Sequence, residues 1–105
     1  MRIYLDHNAT TPVEPAVAEA VSDALLTCFG NASSVHTFGQ TAKAALDEAR
    51  ARVATLVGGA PSEIVFTSGG TESDNLAIRG AMEAAPDGRR HVITSAIEHE
   101  AVLNT

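Results

Sequence analysis

The segment "TSGGTESDN", residues 67–75, sets two glycines and several hydroxyl side chains between a short apolar run, "EIVFT", and a stretch with helical character. A helix start exposes backbone N–H groups that have no intrahelical acceptor, and it carries partial positive charge. Glycines there let an anion come close to the backbone. The N–H groups of Gly70 and Thr71, with the hydroxyls of Ser68 and Thr71, have the composition of a phosphate cradle at the carboxyl end of a parallel strand. The segment lacks the Gly-Lys-Ser/Thr ending of a Walker loop and the third glycine of a dinucleotide fingerprint. A second reading needs no ligand. Gly69 and Gly70 make a tight turn, Thr71 caps the helix with Asp74 at capping-box spacing, and Glu72 and Asp74 satisfy the helix dipole while repelling phosphate.

His99, in "SAIEHEAV", is the other candidate. It follows a second apolar run, "HVITS", and opens a helical pattern, so Thr71 and His99 both fall at carboxyl ends of predicted strands and can face one cleft. A histidine in that position can stack on a planar ligand or move protons near neutral pH. Its alternative is a polar residue at a helix start between Glu98 and Glu100. His7 and His36 fall in loops and His91 begins a strand. Ser33, Ser34 and His36 are close in sequence without forming an oriented triad. Cys28, the only cysteine, excludes an internal disulfide and a cysteine zinc cluster, and reads as a small buried hydrophobe.

The elements that must position these residues follow from periodicity. Residues 1–13 read as an N-terminal arm: the apolar "RIYL", as an extended arm or edge strand, then the turn-forming "DHNATTP". Val17, Val21 and Leu25 recur at i, i+4, which predicts an amphipathic helix over 14–27 entered at Pro15. "CFGNASSVH" is a loop. A second helix runs from about 35 or 37 to 57, with the stripe Phe38, Ala42, Leu46, Ala49, Val53 and Leu56 or Val57, and Gly58-Gly59 close it. "EIVFT" and "HVITS" read as strands buried on both faces, flanking a third helix at 71–85 and the turn "PDGRR"; a fourth helix begins in "EHEAVLNT". The order β-α-β-α predicts an α/β fold with a mainly parallel sheet and right-handed crossovers. Residues 14–105 then form part of one large domain, and the missing closing strand predicts a piece of a longer α/β protein.

Composition narrows the functions. The chain has 105 residues, of which 45% are hydrophobic, as in a folded domain. Seven Lys and Arg against thirteen Asp and Glu give a net charge of −6, and only Arg89 and Arg90 are adjacent. No basic face and no Trp speak against nucleic-acid binding. No apolar run approaches the ~20 residues of a membrane span, and the N-terminus lacks the core of a signal peptide, so a cytoplasmic location is expected.

Together, "IYLDHNATTP", "FGNASSVHTFG", "EIVFTSGGTESDN" and "EHEAV", in this order, closely resemble the N-terminal part of cysteine desulfurases of the NifS/IscS type. These are pyridoxal-phosphate enzymes of aminotransferase fold type I. The resemblance spans essentially the whole chain. It implies the start of the fold type I large domain, with pyridoxal 5'-phosphate as cofactor. Gly70 and Thr71 are expected to hold the cofactor phosphate. His99 is expected to lie on the pyridine ring and assist proton transfer. The family removes sulfur from L-cysteine, giving L-alanine and an enzyme persulfide that feeds iron–sulfur cluster assembly. It forms homodimers and passes sulfur to acceptor or scaffold proteins. Asn8 to Thr11 and the loop from Asn31 to His36 match segments near the active-site mouth and the dimer contact.

The departures matter as much. The family needs a lysine that bonds the cofactor, but Lys43, the only lysine, lies in the second predicted helix and does not match that motif. Cys28 is not the family nucleophile. The aspartate that pairs with the pyridine nitrogen and the arginine that grips the substrate carboxylate have no counterpart here either. These 105 residues alone are therefore expected to be inactive. Two alternatives stand beside this reading: a related lyase, such as a selenocysteine lyase, and a stand-alone non-catalytic protein that binds a partner.

Overall fold

The computed structural model describes residues 1–89 and 91–105, so Arg90, at the end of the predicted "PDGRR" turn, lies outside the described residues. The chain divides into two compact units, Met1–Ile64 and Val65–Thr105.

The first unit holds two helices, α1 (Pro15–Thr27) and α2 (Thr37–Val57), followed by a 3₁₀ turn (Pro61–Glu63). Pro15 stands at the first helical position of α1, where a missing N–H costs nothing. Cys28 ends α1 by donating its N–H to the Ala24 carbonyl at 2.9 Å. Cys28 is half-buried rather than buried, beside Val21, Ala24, Leu25 and Phe29. The "DHNA" segment turns as expected: Ala9 N–H meets the Asp6 carbonyl at 3.1 Å. The Tyr4 hydroxyl donates to the carbonyls of Asp6 at 2.8 Å and Thr10 at 3.0 Å.

α2 ends where the glycine pair requires. Gly58 adopts the left-handed conformation, with φ 72°, and Gly59 N–H reaches back to the Ala54 carbonyl at 2.9 Å. This closes the last turn as a Schellman motif. The 3₁₀ turn then packs back on α2. Glu63 Oε2 accepts from Ala60 N–H at 2.7 Å, and the Arg50 guanidinium donates to the Ile64 carbonyl. Under this turn Ala54 is 1% exposed. Of the predicted apolar stripe, Ala42 and Val53 are half-buried and Phe38, Leu46, Leu56 and Val57 are exposed within this chain, as are Val17, Val21 and Leu25 on α1.

The second unit holds α3 (Gly70–Glu83) and α4 (Glu100–Leu103), which pack on one another. The turn before residue 90 forms through Gly88 at φ 84° and Arg89 N–H on the Pro86 carbonyl at 3.0 Å. The predicted sheet start is not seen. Neither "EIVFT" nor "HVITS" forms a strand among the described residues, nor does "RIYL". A strand exists through its neighbour's N–H and C=O groups, and these runs do not pair with one another. They are not buried on both faces either; Val65, Val92 and Ile93 are exposed.

Candidate functional site

The glycine turn is organised from its flanks. Thr67 Oγ1 and Ser73 Oγ share a hydrogen bond of 2.6 Å, and both hydroxyls lie within reach of the Gly69 carbonyl, at 3.2 and 3.1 Å. Ser73 N–H donates to the same carbonyl at 3.1 Å. Ser68 is held differently. Its N–H and its hydroxyl both donate to Glu72 Oε2, at 2.7 and 2.6 Å. These two bonds, the hydroxyl first, favour the ionised carboxylate and hold Glu72 below its ordinary value of 4.5.

This arrangement corrects the expected parts played by Thr71 and Ser68. The N-cap of α3 is Gly69, and no side chain caps that end. Thr71 sits inside the first turn, so it is not the cap, and no capping box forms with Asp74. In the glycine pair, Gly69 is extended, with φ 167°, and Gly70 is helical. A Cβ built on either glycine would meet nothing within 4 Å. What the glycines provide is open space above the first N–H groups of α3. The Ser68 hydroxyl, counted above as a possible anion donor, is spent on Glu72. The N–H groups of Gly70 and Thr71 remain, uncapped and at the positive end of a helix of 14 residues.

His99 is the N-cap of α4. Its Nδ1 accepts from Ala101 N–H at 3.0 Å. A backbone amide can only donate, so Nδ1 carries no proton and the neutral ring holds its proton on Nε2. The polar helix-start role is therefore real, and it leaves the other ring nitrogen and the ring faces uncommitted to the cap. Thr71 and His99, 28 positions apart in the sequence, line one cavity of about 320 Å³ together with Asn75, Glu100, Ala101 and Asn104.

Asn75 was not singled out from the sequence. Its Nδ2 donates to the Thr71 carbonyl at 2.9 Å and to the Ala101 carbonyl at 3.3 Å. The available signal was spacing: Asn75 lies four residues after Thr71, on the same helix face.

The other sequence candidates lie elsewhere. His36 caps α2, with Nδ1 accepting from Gly39 N–H at 3.3 Å, so it is committed locally and forms no triad with Ser33 and Ser34. His7 packs edge-on against Tyr4, with ring centroids 5.1 Å apart. Lys43 pairs with Asp47 on the exposed face of α2. Among the described residues no group of three His, Cys, Asp or Glu side chains could hold a metal ion, and no helix is long and apolar enough to cross a membrane.

Comparison with known proteins places the chain in a family. The model of the class-V aminotransferase family matches residues 3–105. The chain is 53% identical to the putative cysteine desulfurase IscS 1 of Bacillus subtilis over 99% of its own length and 27% of that protein's. It is 57% identical to the cysteine desulfurase IscS of Methylococcus capsulatus, covering 98% of this chain and 26% of that protein. An IscS-like cysteine desulfurase of Mycobacterium tuberculosis is 50% identical over 97% of the chain and 26% of its own length. The chain thus spans about a quarter of the length of these relatives.

Proposed function

Since the chain belongs to the class-V aminotransferase family, we propose that it forms the N-terminal, cofactor-phosphate-binding part of a cysteine desulfurase that uses pyridoxal 5'-phosphate. The observation that carries this reading is the shared cavity of Thr71 and His99 beside the uncapped start of α3. The donor set fits the group. Uncapped N–H groups with open space above them suit a phosphate, and a histidine ring across the same cavity suits a flat aromatic ring.

In this reading Gly70 and Thr71 bind the phosphate through backbone N–H groups, and the Thr71 hydroxyl adds a further donor. His99 stacks on the pyridine ring, and its Nε2 is the atom that holds or moves a proton, because Nδ1 is occupied by Ala101 N–H. The bound cofactor supplies an electron sink for carbanion chemistry. These residues orient it and do not bond to it covalently; Lys43 is the only lysine here and is engaged by Asp47. The 105 residues by themselves are therefore inactive. The whole protein takes sulfur from L-cysteine as a homodimer in the cytoplasm and passes it to an acceptor or scaffold protein for iron–sulfur cluster assembly. Residues 1–13 serve it as an arm, and 14–105 begin its large domain and its mainly parallel sheet.

The test is Thr71→Ala in the intact protein, read by equilibrium dialysis of pyridoxal phosphate. Loss of a charge-assisted hydrogen bond costs ~1.5–3 kcal/mol, so cofactor retention should weaken by roughly ten- to a hundred-fold. Unchanged affinity would remove Thr71 from the site and with it the reading of the cavity.

A further inference from the structure

The backbone of Ala101 is held by three side chains. Its N–H is taken by His99 Nδ1 at 3.0 Å, and its carbonyl accepts from Asn75 Nδ2 at 3.3 Å and from Thr105 Oγ1 at 2.6 Å. Ala101 is 7% exposed, and it and Ala54 are the buried hydrophobic residues among those described. The same Asn75 nitrogen donates to the carbonyl of Thr71 at 2.9 Å. Both acceptors are carbonyl oxygens, so the NH₂ end of the amide must face them and both of its hydrogens are used. Asn75, one of the residues lining the cavity, therefore links its two helices. One bond fixes it to the residue at the start of α3, and the other to the carbonyl of Ala101, the residue whose N–H is taken by the His99 ring. Packing between α3 and α4 is not directional, whereas this pair of bonds sets a register between them.

We infer that Asn75 is a positioning residue whose side-chain amide fixes the His99 ring relative to Thr71, and so sets the angle at which a planar ligand gripped by both is held. The inference rests on the proposal that Thr71 and His99 hold pyridoxal phosphate. It explains why an amide stands at this position. Aspartate has the same shape but no N–H, and would turn an oxygen toward two carbonyl oxygens. Alanine removes the span without adding charge. Glutamine places the amide one methylene further out, beyond the reach that serves both carbonyls.

The experiment compares Asn75→Asp, Thr71→Ala and His99→Ala in the intact protein, with Asn75→Ala as the second variant should the carboxylate prevent folding. The readouts are pyridoxal-phosphate affinity, circular dichroism within the absorption band of the bound cofactor, and melting of the apoprotein. Asn75→Asp or Asn75→Ala is expected to change the dichroic band and, because the amide acts through the ring rather than on the ligand, to weaken retention roughly five-fold, less than Thr71→Ala does. Neither variant should change the band further in a His99→Ala background, because the amide acts through that ring. Normal loss of affinity in Thr71→Ala with an unmoved band in both Asn75 variants overturns the positioning role alone. So does an Asn75 effect that adds in full to that of His99→Ala, which is the mark of a merely structural residue. Wild-type affinity in Thr71→Ala together with an unchanged band in His99→Ala overturns the site reading and this inference with it.

Discussion

Replacing Gly39 by alanine should destabilise the protein although it improves helix propensity. Gly39 is the third residue of α2, and it is buried. A Cβ added there would lie 2.5 Å from the Ser34 carbonyl oxygen, 2.6 Å from the Asn31 carbonyl oxygen and 2.7 Å from Ser34 Cβ. Two of these three atoms are backbone, so relief requires movement of the 31–34 loop. That loop is closed by Ser34 N–H on the Asn31 carbonyl at 2.9 Å, by Ser33 N–H on Asn31 Oδ1 at 2.9 Å, and by Gln40 Nε2 on the Ser34 carbonyl at 2.9 Å. Overpacking of this kind costs about 1–3 kcal/mol, and each hydrogen bond strained open adds about 1 kcal/mol. The propensity gain of Gly→Ala in a helix, roughly 0.5–1 kcal/mol, works in the opposite direction. The sum is a net loss of about 1–3 kcal/mol, taking the overpacking and propensity terms with one strained bond. Gly80→Ala is the control. Gly80 lies inside α3 and a Cβ there meets nothing within 4 Å, so propensity acts alone and stability should rise by roughly 0.5–1 kcal/mol. Urea denaturation of the intact protein checks both. A Gly39→Ala variant as stable as wild type would refute the steric argument, and with it the compactness of the "FGNASSVHTFG" loop.

Two further substitutions separate roles that share one residue. His99→Asn keeps a good N-cap, since asparagine is among the best capping residues, but removes the ring; stability within about 0.5 kcal/mol of wild type with slower turnover and an altered cofactor spectrum is expected, and normal kinetics would reduce His99 to a cap. Glu72 gives a pH test. Its carboxyl is held below the ordinary 4.5 by the two Ser68 donors. A depressed carboxylate stabilises the turn above its unfolded-state value, and that contribution is lost as pH falls through the lower folded-state value. The Ser68 amide resonance should therefore move with a midpoint below pH 4.5, and Glu72→Gln should abolish the movement; a midpoint at or above that value would contradict the geometry.

The helices were legible because their ends carry their own chemistry. Pro15 opens α1 and Gly58 closes α2 in the left-handed conformation that its sequence position suggests. The start of α3 was misplaced by one residue because its cap is backbone alone, at Gly69, while Thr71 offers a side chain that looks like a cap and is not used as one. "EIVFT" and "HVITS" have the composition of strands, but pairing is a property of two segments and cannot be read from either. The face formed by Val17, Val21 and Leu25 was visible as a pattern, yet the pattern says nothing of what covers it. Thr71 and His99 could be placed at the ends of predicted elements. Asn75 could not be assigned, because the bond that gives it meaning reaches Ala101, 26 residues away.

The open space above Gly69 and Gly70 separates two properties that usually change together. Neither glycine uses a backbone conformation closed to other residues, and neither is pressed by a neighbour. A small side chain at Gly70 meets no local clash, so on the proposed reading its effect is expected when the cofactor phosphate enters rather than when the chain folds. A folded, abundant, normally melting variant could be void of cofactor, and a survey of stability alone would score it as healthy.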